Sequence, residues 1–276
     1  METQVLVYRG PVRWAGHVLL VAVSVLSLFP LVWMVLNAFK PTDEILYFSL
    51  LPEHVTLQNF VDALAMIPLP TMIARSFASG IFQMAGQLCT GILAAYALTR
   101  WEFPGKKLFY GLFTVTWLVP FQATMLPNYV NLVQLGLRDT VAGIVLPNLA
   151  SAFAILTLYQ SFNSFPKTIF EAAQVDGAGS LKTLVQVVLP NLKGPVASLG
   201  IILFINCWNE YFWPLLITRS IDKATVQIGL SMFLSSDGNL WGPLLAAAVL
   251  ASLPILLLYM VLQKQIIDSF MKSGIK

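Results

Sequence analysis

Charged residues are scarce in this sequence. Asp, Glu, Lys and Arg make up 11% of its 276 residues, whereas hydrophobic residues make up 57%. A soluble domain carries about 25% charged residues. The net charge is only +3, and no basic cluster with interleaved aromatic residues is present, which excludes a nucleic-acid partner. So much apolar surface needs apolar surroundings, and the sequence therefore predicts an integral membrane protein in a lipid bilayer.

Cysteine and histidine are also rare. The two cysteines, Cys89 and Cys207, both lie inside apolar runs, which is typical of small core residues rather than of disulfide or metal partners. The two histidines, His17 and His54, are far apart in the sequence, and no His/Cys cluster has the spacing of a metal site. We therefore predict no metal site in this chain.

The motifs of catalysis are missing. The chain has no glycine-rich loop ending in Gly-Lys-Ser/Thr, so it is not expected to bind ATP through a P-loop. It also has no nucleophile elbow, no His-Glu-x-x-His pair and no pair of intramembrane carboxylates. An intramembrane enzyme, for instance a lipid-processing one, is the alternative from another functional class, and these absences disfavour it. We predict no catalytic residue and no cofactor in this chain.

Six apolar runs are long enough to cross a hydrocarbon layer about 30 Å thick. They cover approximately residues 14–39, 71–98, 108–130, 141–162, 196–218 and 240–262. The first lacks a small-residue cleavage site and is expected to be an uncleaved span. Pro120 and Pro127 interrupt the third, which predicts a kinked or broken helix there. The sequence thus predicts one all-α transmembrane domain over residues 1–276, a polytopic helical bundle of six spans.

The distribution of Lys and Arg orients these spans. Of the 16 Lys and Arg residues, 11 fall in the termini and connections on one side and five on the other. Because connections rich in Lys and Arg stay in the cytoplasm, both termini and the connection at about 163–194 are expected to be cytoplasmic.

This cytoplasmic connection carries a helix pair of its own. Residues 167–176 are predicted to form a short helix that Gly177 and Gly179 end, since glycine reaches positive φ freely and closes helices. Ser180 is predicted to cap a second helix. The apolar face of that helix has the i, i+3, i+4, i+7 spacing and consists of Leu181, Leu184, Val185 and Val188. Pro190 separates this helix from the next apolar run.

The same connection matches a family signature. Its elements are Glu171-Ala172-Ala173, Asp176-Gly177-Ala178 and Leu189-Pro190. They resemble the Glu-Ala-Ala loop of importer-type ATP-binding-cassette permeases, in the form found in the smaller permease of the carbohydrate-uptake branch. The segment Ala94-Ala95-Tyr96-Ala97-Leu98-Thr99-Arg100 is similar to the family's second span. One departure is Arg75-Ser76, where the family commonly carries Asn-Ser.

The resemblance implies a fold, a function and a set of partners. The fold would be the six-span permease fold, and the chain would form half of the path of an importer that works by alternating access. Its partners would be a second related permease chain, an ATPase subunit dimer that binds ATP and Mg, and an extracytoplasmic solute-binding protein. The location would be a bacterial or archaeal cytoplasmic membrane. The cargo would be a saccharide or a sugar derivative, and phosphate, polyamines and amino acids are the alternatives, because their permeases share the loop.

The resemblance also assigns a site. The helix that carries Glu171 would dock in a surface cleft of the ATPase, with the glutamate paired to a basic residue there. Small side chains allow close approach of the two backbones. The predicted coupling residues are Glu171, Ala172, Ala173, Asp176, Gly177, Leu189 and Pro190.

A second candidate site lies in the fifth apolar run. Glu210 is a carboxylate beside Asn209 within this run, and such a charge is costly unless it faces protein or water. One interpretation is a polar and aromatic lining for the cargo, with Trp213 as a stacking surface. The other is an aromatic belt at the outer membrane interface with a solvated carboxylate. Gln122 and Asn128, in the proline-interrupted third run, are further candidates for the cargo path.

Overall fold

The computed structural model describes residues 11–47, 49–234 and 238–273, and every regular element in these ranges is helical. The α-helices are α1 (Pro11–Ala38), α2 (Thr42–Ile45), α3 (Gln58–Met66), α4 (Leu69–Arg100), α5 (Lys106–Leu118), α6 (Phe121–Gln134), α7 (Val141–Val145), α8 (Ala152–Asn163), α9 (Lys167–Val175), α10 (Ser180–Thr183), α11 (Leu189–Asn191), α12 (Lys193–Trp208), α13 (Phe212–Ile217), α14 (Val226–Ser231) and α15 (Trp241–Ser273). Short 3₁₀ turns lie at Leu146–Asn148 and Ile221–Lys223, and a π-helical turn lies at Leu184–Val188. The predicted all-α fold is confirmed.

Three of the described helices, α1, α4 and α15, are each long and apolar enough to cross a membrane. Three bent pairs also pass this test together: Lys106–Leu118 with Phe121–Gln134, Val141–Asn148 with Ala152–Asn163, and Ser180–Asn191 with Lys193–Trp208. The two arms of these pairs are bent from a straight line by 91°, 52° and 83°. Counting each bent pair as one span gives up to six spans in the described part of the chain.

The breaks fall only partly where the sequence places them. The break between α5 and α6 lies at Pro120, as predicted, whereas Pro127 lies inside α6. The third bent pair includes Ser180–Asn191, a segment that we predicted within the cytoplasmic connection. Two further interruptions, between Asn148 and α8 and between α12 and α13, were not predicted.

The described residues form two compact units. One unit contains the chain up to Met66 together with Phe233–Leu250. Here the buried amide of Asn59 donates to the carbonyls of Ala38 at 2.9 Å and Lys40 at 2.7 Å, which satisfies acceptors at the end of α1. A Cβ at Gly242 would overlap the amide oxygen of Asn59, so this contact requires glycine.

The other unit contains Ile67–Met232 and the chain from Ala251 onward. A large buried cluster in this unit joins α4, α8, α9, α12 and the segment between α10 and α12. The buried members are Ala95, Tyr96, Ala154, Leu158, Phe162, Phe170, Leu184, Val188, Leu192, Leu199 and Leu203. A Cβ at Gly80 would lie 2.7 Å from Phe204, and one at Gly91 would lie 3.0 Å from Leu158. Glycine at these two positions therefore lets the neighbouring helices approach α4 closely, as small residues do at the interfaces of membrane helices.

Candidate functional site

Helix α9 ends in a glycine-based cap. The amide of Ala178 donates to the carbonyl of Ala173 at 2.9 Å, and the amide of Gly177 donates to the carbonyl of Gln174 at 3.1 Å. These two bonds form a Schellman motif, in which the residue after the helix takes the left-handed conformation. Gly177 has φ +72°, as its predicted role in ending the helix requires.

The start of the second helix differs from the prediction. Ser180 is the first residue of α10, and Gly179, in an extended conformation, occupies the capping position without a side-chain bond. The predicted single apolar face is also divided. Leu184 and Val188 are buried, whereas Leu181 and Val185 are 68% and 54% exposed. The π-helical turn at Leu184–Val188 changes the angular spacing of these side chains, so the α-helical period misplaces half of them.

One side of α9 is fixed to the end of α4. The Phe170 ring is 7% exposed and lies 6.2 Å from the Tyr96 ring, with the guanidinium carbon of Arg100 5.6 Å from its centroid. Arg100 also donates to the side-chain oxygen of Gln174 at 3.0 Å. Phe170 and Gln174 stand four apart in α9, as Tyr96 and Arg100 do in α4, so each pair shares a helix face. Two successive turns of the helices are therefore in contact.

The opposite side of α9 is open. Glu171, Ala172 and Asp176 are exposed, and Val175 is 88% exposed. Ala173 is buried instead, and its carbonyl serves the cap at Gly177. The Glu171 side chain borders a cavity of about 220 Å³ that Arg100 and Phe170 also line. The arrangement is a short helix whose back is fixed through Phe170 and Gln174 and whose front exposes Glu171, Ala172, Val175 and Asp176.

The end of the predicted motif has a different environment. Leu189 is half-buried and packs against the large buried cluster, whereas Pro190 is exposed. Proline offers no amide hydrogen to the preceding turn, and the π-helical turn lies directly before this pair. Leu189 therefore anchors the segment within this chain.

The structure also locates the second candidate site. One carboxylate oxygen of Glu210 accepts the backbone amides of Phe212 at 3.1 Å and Trp213 at 3.3 Å, so Glu210 caps the start of α13. The side-chain oxygen of Asn209 accepts a bond from Gln227 at 3.2 Å. Both polar side chains thus have partners within this chain.

Trp213, which the sequence predicts as a stacking surface, lies in the core of the structure. It is 1% exposed, and its indole nitrogen donates to the carbonyls of Gly143 at 3.2 Å and Ile144 at 3.1 Å. The ring packs edge-to-face on Phe121 at 6.0 Å. In this arrangement α6 and α7 cover the ring, so it presents no open face to a cargo.

Gln122 and Asn128 lie in α6, beside the element that carries Trp213. Gln122 is exposed and Asn128 is half-buried. Phe121, the neighbour of Gln122, forms the contact with Trp213, so α6 and α13 bring the two sets of candidates into adjacent elements. The structure shows no direct hydrogen bond between the two sets among the residues it describes.

Arg75, where the resembling family commonly carries Asn, donates to the backbone carbonyl of Asp139. Asp139 has φ +58°, and its carboxylate accepts the amides of Arg219 at 2.6 Å and Ser220 at 3.1 Å. These two bonds lower the pKa of the Asp139 carboxyl. Asp139, in the loop before α7, therefore links the start of α4 to the loop that follows α13.

One group of side chains has the composition of a metal site. Ligand atoms of Glu44, Glu53 and His54 lie within 4.8 Å of one another. The Glu44 carboxylate accepts the amides of Glu53 at 3.1 Å and His54 at 3.2 Å, and it bonds the His54 ring nitrogen at 2.8 Å. These contacts already account for the position of Glu44 without an ion.

The fold and the comparisons with known proteins define the class of this chain. Residues 87–272 match the family described as "Binding-protein-dependent transport system inner membrane component". The chain belongs to this family, and it is a membrane permease of an ATP-binding-cassette importer, not an enzyme. In such importers the partner ATPase hydrolyses ATP. A partner permease, an ATPase and a binding protein are the general kinds of partner that this family implies.

Individual relatives cover nearly the whole chain. The diacetylchitobiose uptake system permease protein NgcG of Streptomyces coelicolor is 32% identical, over 92% of this chain and 86% of its own. The sn-glycerol-3-phosphate transport system permease protein UgpE of Brucella abortus is 28% identical, over 94% of this chain and 95% of its own. A solved bacterial ABC transporter, involved in importing the acidic polysaccharide alginate, has a chain of similar fold. Its TM-score is 0.78 at 24% identity, with 91% of this chain and 94% of that chain covered.

Proposed function

We propose that this chain forms half of the translocation path of an importer whose cargo is a saccharide or a sugar derivative. The observation that carries the proposal is the 32% identity, over 92% of this chain, to a permease named for diacetylchitobiose uptake. The relative named for sn-glycerol-3-phosphate transport extends the cargo class to small phosphorylated polyols. Phosphate, polyamines and amino acids are the competing cargoes.

The geometry of α9 supports its role as the helix that couples transport to ATP hydrolysis. Its exposed front presents Glu171 and Ala172 to a partner, while Phe170 and Gln174 hold its back against α4. A movement of the ATPase would therefore reach α4 directly through packed side chains. The full set of proposed coupling residues is Glu171, Ala172, Ala173, Asp176, Gly177, Leu189 and Pro190.

Within this set the structure suggests different tasks. Glu171, Ala172 and Asp176 would contact the ATPase, because they are exposed. Ala173 and Gly177 would shape the end of α9 through the Schellman bonds. Leu189 and Pro190 would fix the return of the connection to the bundle. Closure of the ATPase pair would then draw α9 and rock the helices between inward-open and outward-open states.

The cargo path is proposed to include Asn209, Glu210, Gln122 and Asn128, with Trp213 as their support. Glu210 keeps a second carboxylate oxygen beyond the one that caps α13. Gln122 is exposed, which fits a position at a path shared with the second permease chain. Sugar hydroxyls need such fixed acceptors and donors.

The orientation proposed for this arrangement follows the Lys and Arg distribution, with both termini and α9 in the cytoplasm. Residues 1–10 and 274–276 lie outside the described residues. Cysteines introduced singly at Ser180 and Ser220, in a background without Cys89 and Cys207, test the orientation. An impermeant thiol reagent on intact cells should label the Ser220 position and spare the Ser180 position. Equal labelling of both would contradict the proposal.

The cargo is tested on the complete importer. The chain is co-expressed with its second permease, its ATPase and its binding protein, and the complex is reconstituted in liposomes. ATPase stimulation and uptake are then measured with oligosaccharides, glycerol phosphates, inorganic phosphate, a polyamine and amino acids. Stimulation by a saccharide or sugar derivative supports the proposal. Stimulation by one of the other classes alone overturns it.

A further inference from the structure

The helix break after Asn148 exposes two backbone carbonyls inside an apolar segment. The chain leaves helical geometry at residues 149–151, between the 3₁₀ turn at Leu146–Asn148 and α8, and the second arm is bent by 52° from the first. In an uninterrupted α-helix, the carbonyls of Asn148 and Leu149 would accept the amides four residues later. The break removes these bonds, and a membrane offers no water to replace them.

Two side chains of α4 donate hydrogen bonds to these carbonyls. The Gln87 amide donates to the Asn148 carbonyl at 2.7 Å, and the Thr90 hydroxyl lies 3.0 Å from the Leu149 carbonyl. Gln87 is buried, so its amide has been withdrawn from any aqueous surface. A Cβ at Gly86 would overlap the Leu149 side chain, which means that glycine allows this close approach. Three residues of one α4 segment, Gly86, Gln87 and Thr90, therefore contact the break between Asn148 and α8.

The two donors differ in how easily they can be released. A hydroxyl has one hydrogen to donate, and the Thr90 oxygen is 2.9 Å from the Gly86 carbonyl of its own helix as well as 3.0 Å from the Leu149 carbonyl. Thr90 can therefore leave Leu149 and remain bonded within α4. The amide of Gln87 has the Asn148 carbonyl as its acceptor, and separation would leave a buried donor unpaired, which is costly.

We propose that residues 149–151 are a hinge of the transport cycle and that Gln87 and Thr90 are positioning residues that hold it. Gln87 is the fixed contact about which the two arms turn, and Thr90 is the releasable contact. The proposal rests on the function given above, because it assumes that this chain changes conformation to move a cargo. It assigns no contact with the cargo to either residue.

The kinetic test uses the complete importer and variants matched in shape. Thr90→Val removes the hydroxyl but keeps the side-chain volume, and Thr90→Ser keeps the hydroxyl. Gln87→Met keeps the length of the side chain and removes the donor. Thr114→Val in α5 is the control, because the Thr114 hydroxyl bonds the Tyr110 carbonyl of its own helix at 3.0 Å.

We expect a lower maximum uptake rate without a change in the KM for the cargo. Loss of one hydrogen bond corresponds to a change of about two- to tenfold, so Thr90→Val and Gln87→Met should lower the rate by about this factor. Thr90→Ser and Thr114→Val should remain near wild type, with all rates normalised to assembled complex. Wild-type rates in both Thr90→Val and Gln87→Met would overturn the proposal. A raised KM at an unchanged rate would also overturn it, because it would make these residues cargo contacts.

A second measurement needs no cargo. A cysteine is introduced at the exposed residue Ala150, in a background with Cys89→Ser and Cys207→Ala. Its labelling rate by a thiol reagent is compared in the assembled complex with and without ATP and vanadate. The rate should depend on nucleotide, and Gln87→Met should reduce this dependence. If no sugar supports uptake but this dependence is found, the cargo proposal fails and the hinge stands. If uptake is normal but labelling at Ala150 ignores both nucleotide and Gln87→Met, the hinge fails and the cargo proposal stands.

Discussion

The hydroxyl of Tyr96, near the end of α4, donates a hydrogen bond to the backbone carbonyl of Ser180 at 3.0 Å. This bond reaches past α9 and attaches α4 to the first residue of α10. Together with the Phe170 ring, which lies 6.2 Å from the Tyr96 ring, it gives one residue of α4 contacts on both sides of the turn at Gly177. Tyr96 is therefore placed to hold the whole coupling segment in one orientation.

Tyr96→Phe should loosen the coupling segment without unfolding the bundle. The variant keeps the ring contacts and loses one hydrogen bond, a cost of about 1 kcal/mol. Hydrogen exchange of residues 177–183, measured by mass spectrometry, should become faster, while exchange in α12 stays the same. In the complete importer, uptake per ATP hydrolysed should fall. Unchanged exchange at residues 177–183 would contradict the role assigned to this hydroxyl.

Glu171→Lys should weaken attachment of the ATPase. Glu171 is exposed at the front of α9, so the substitution is expected to leave membrane insertion and abundance near wild type. A charge-assisted contact is worth about 1.5 to 3 kcal/mol, which corresponds to about one to two decades in affinity. Co-purification of the ATPase and the ratio of uptake to hydrolysis are the measurements.

The control for this variant is Asp222→Lys, which reverses another exposed acidic residue in a connection of the opposite predicted side. It should leave ATPase attachment unchanged. Equal co-purification of the ATPase with wild type, Glu171→Lys and Asp222→Lys would remove Glu171 from the docking surface.

Gly177→Ala should destabilise the end of α9, and Gly179→Ala should do so much less. Gly177 has φ +72°, and an L-residue pays roughly 1 to 2 kcal/mol in the left-handed region. Gly179 has φ −66°, which any residue adopts. No atom would contact a Cβ at either glycine within 4 Å, so the pair separates backbone strain from steric overlap. Exchange protection of α9 and the ratio of uptake to hydrolysis should both fall far more in Gly177→Ala than in Gly179→Ala. Equal behaviour of the two variants would refute the argument from backbone strain.

The bond between His54 and Glu44 predicts a pH-dependent loop. Their hydrogen bond is the largest cause of the raised pKa of the His54 imidazole and of the lowered pKa of the Glu44 carboxyl. A raised histidine pKa stabilises the folded loop below the unfolded value, about 6.5, and this contribution is lost as pH rises through the folded pKa. A lowered carboxyl pKa stabilises it above about 4.3, and this contribution is lost as pH falls through the folded pKa. Both contributions are present together between these two values.

The measurement is the titration of the imidazole signals by NMR in a nanodisc. The chain has two histidines, and His17→Gln assigns the remaining signal to His54. The pKa of His54 should lie above 6.5 in the wild type and return toward that value in Glu44→Gln. A titration that Glu44→Gln does not shift would show that the contact is not formed in solution.

The helices were predictable because the length of an apolar run indicates a membrane span. The break between α5 and α6 was predictable because a proline, Pro120, lies at the break itself. The breaks at residues 149–151 and 209–211 were not predictable. The nearby prolines, Pro147 and Pro214, lie within helical turns. The breaks are held instead by distant partners, namely Gln87 and Thr90 from α4 at the first and the Trp213 indole across to α7 near the second. These partners are distant in the sequence, so no local sequence pattern predicts the breaks that they stabilise.

The candidate site shows the same limit. The coupling helix and its glycine cap follow from a short motif, whereas the burial of Ala173, Leu184 and Trp213 depends on which helices pack around them. A polar or aromatic residue in an apolar run predicts a cargo path. For Trp213 it marks a donor that the broken helix α7 needs, because freed carbonyls in a membrane must be paired.

The last prediction separates support from cargo binding in the fifth apolar run. Trp213→Phe removes the indole donor from the carbonyls of Gly143 and Ile144 and keeps most of the buried ring. Leaving such groups unpaired costs about 1 to 3 kcal/mol, so the midpoint of thermal unfolding of the complex should fall while the KM for the cargo stays constant. Glu210→Gln retains an oxygen for the cap of α13 and should have little effect on unfolding, whereas Glu210→Leu should lower the midpoint. If the free oxygen of Glu210 binds the cargo, Glu210→Gln should raise the KM even though the complex remains stable. A constant KM in all three variants, with the unfolding midpoints ordered as expected, would assign this segment to support of the bundle alone.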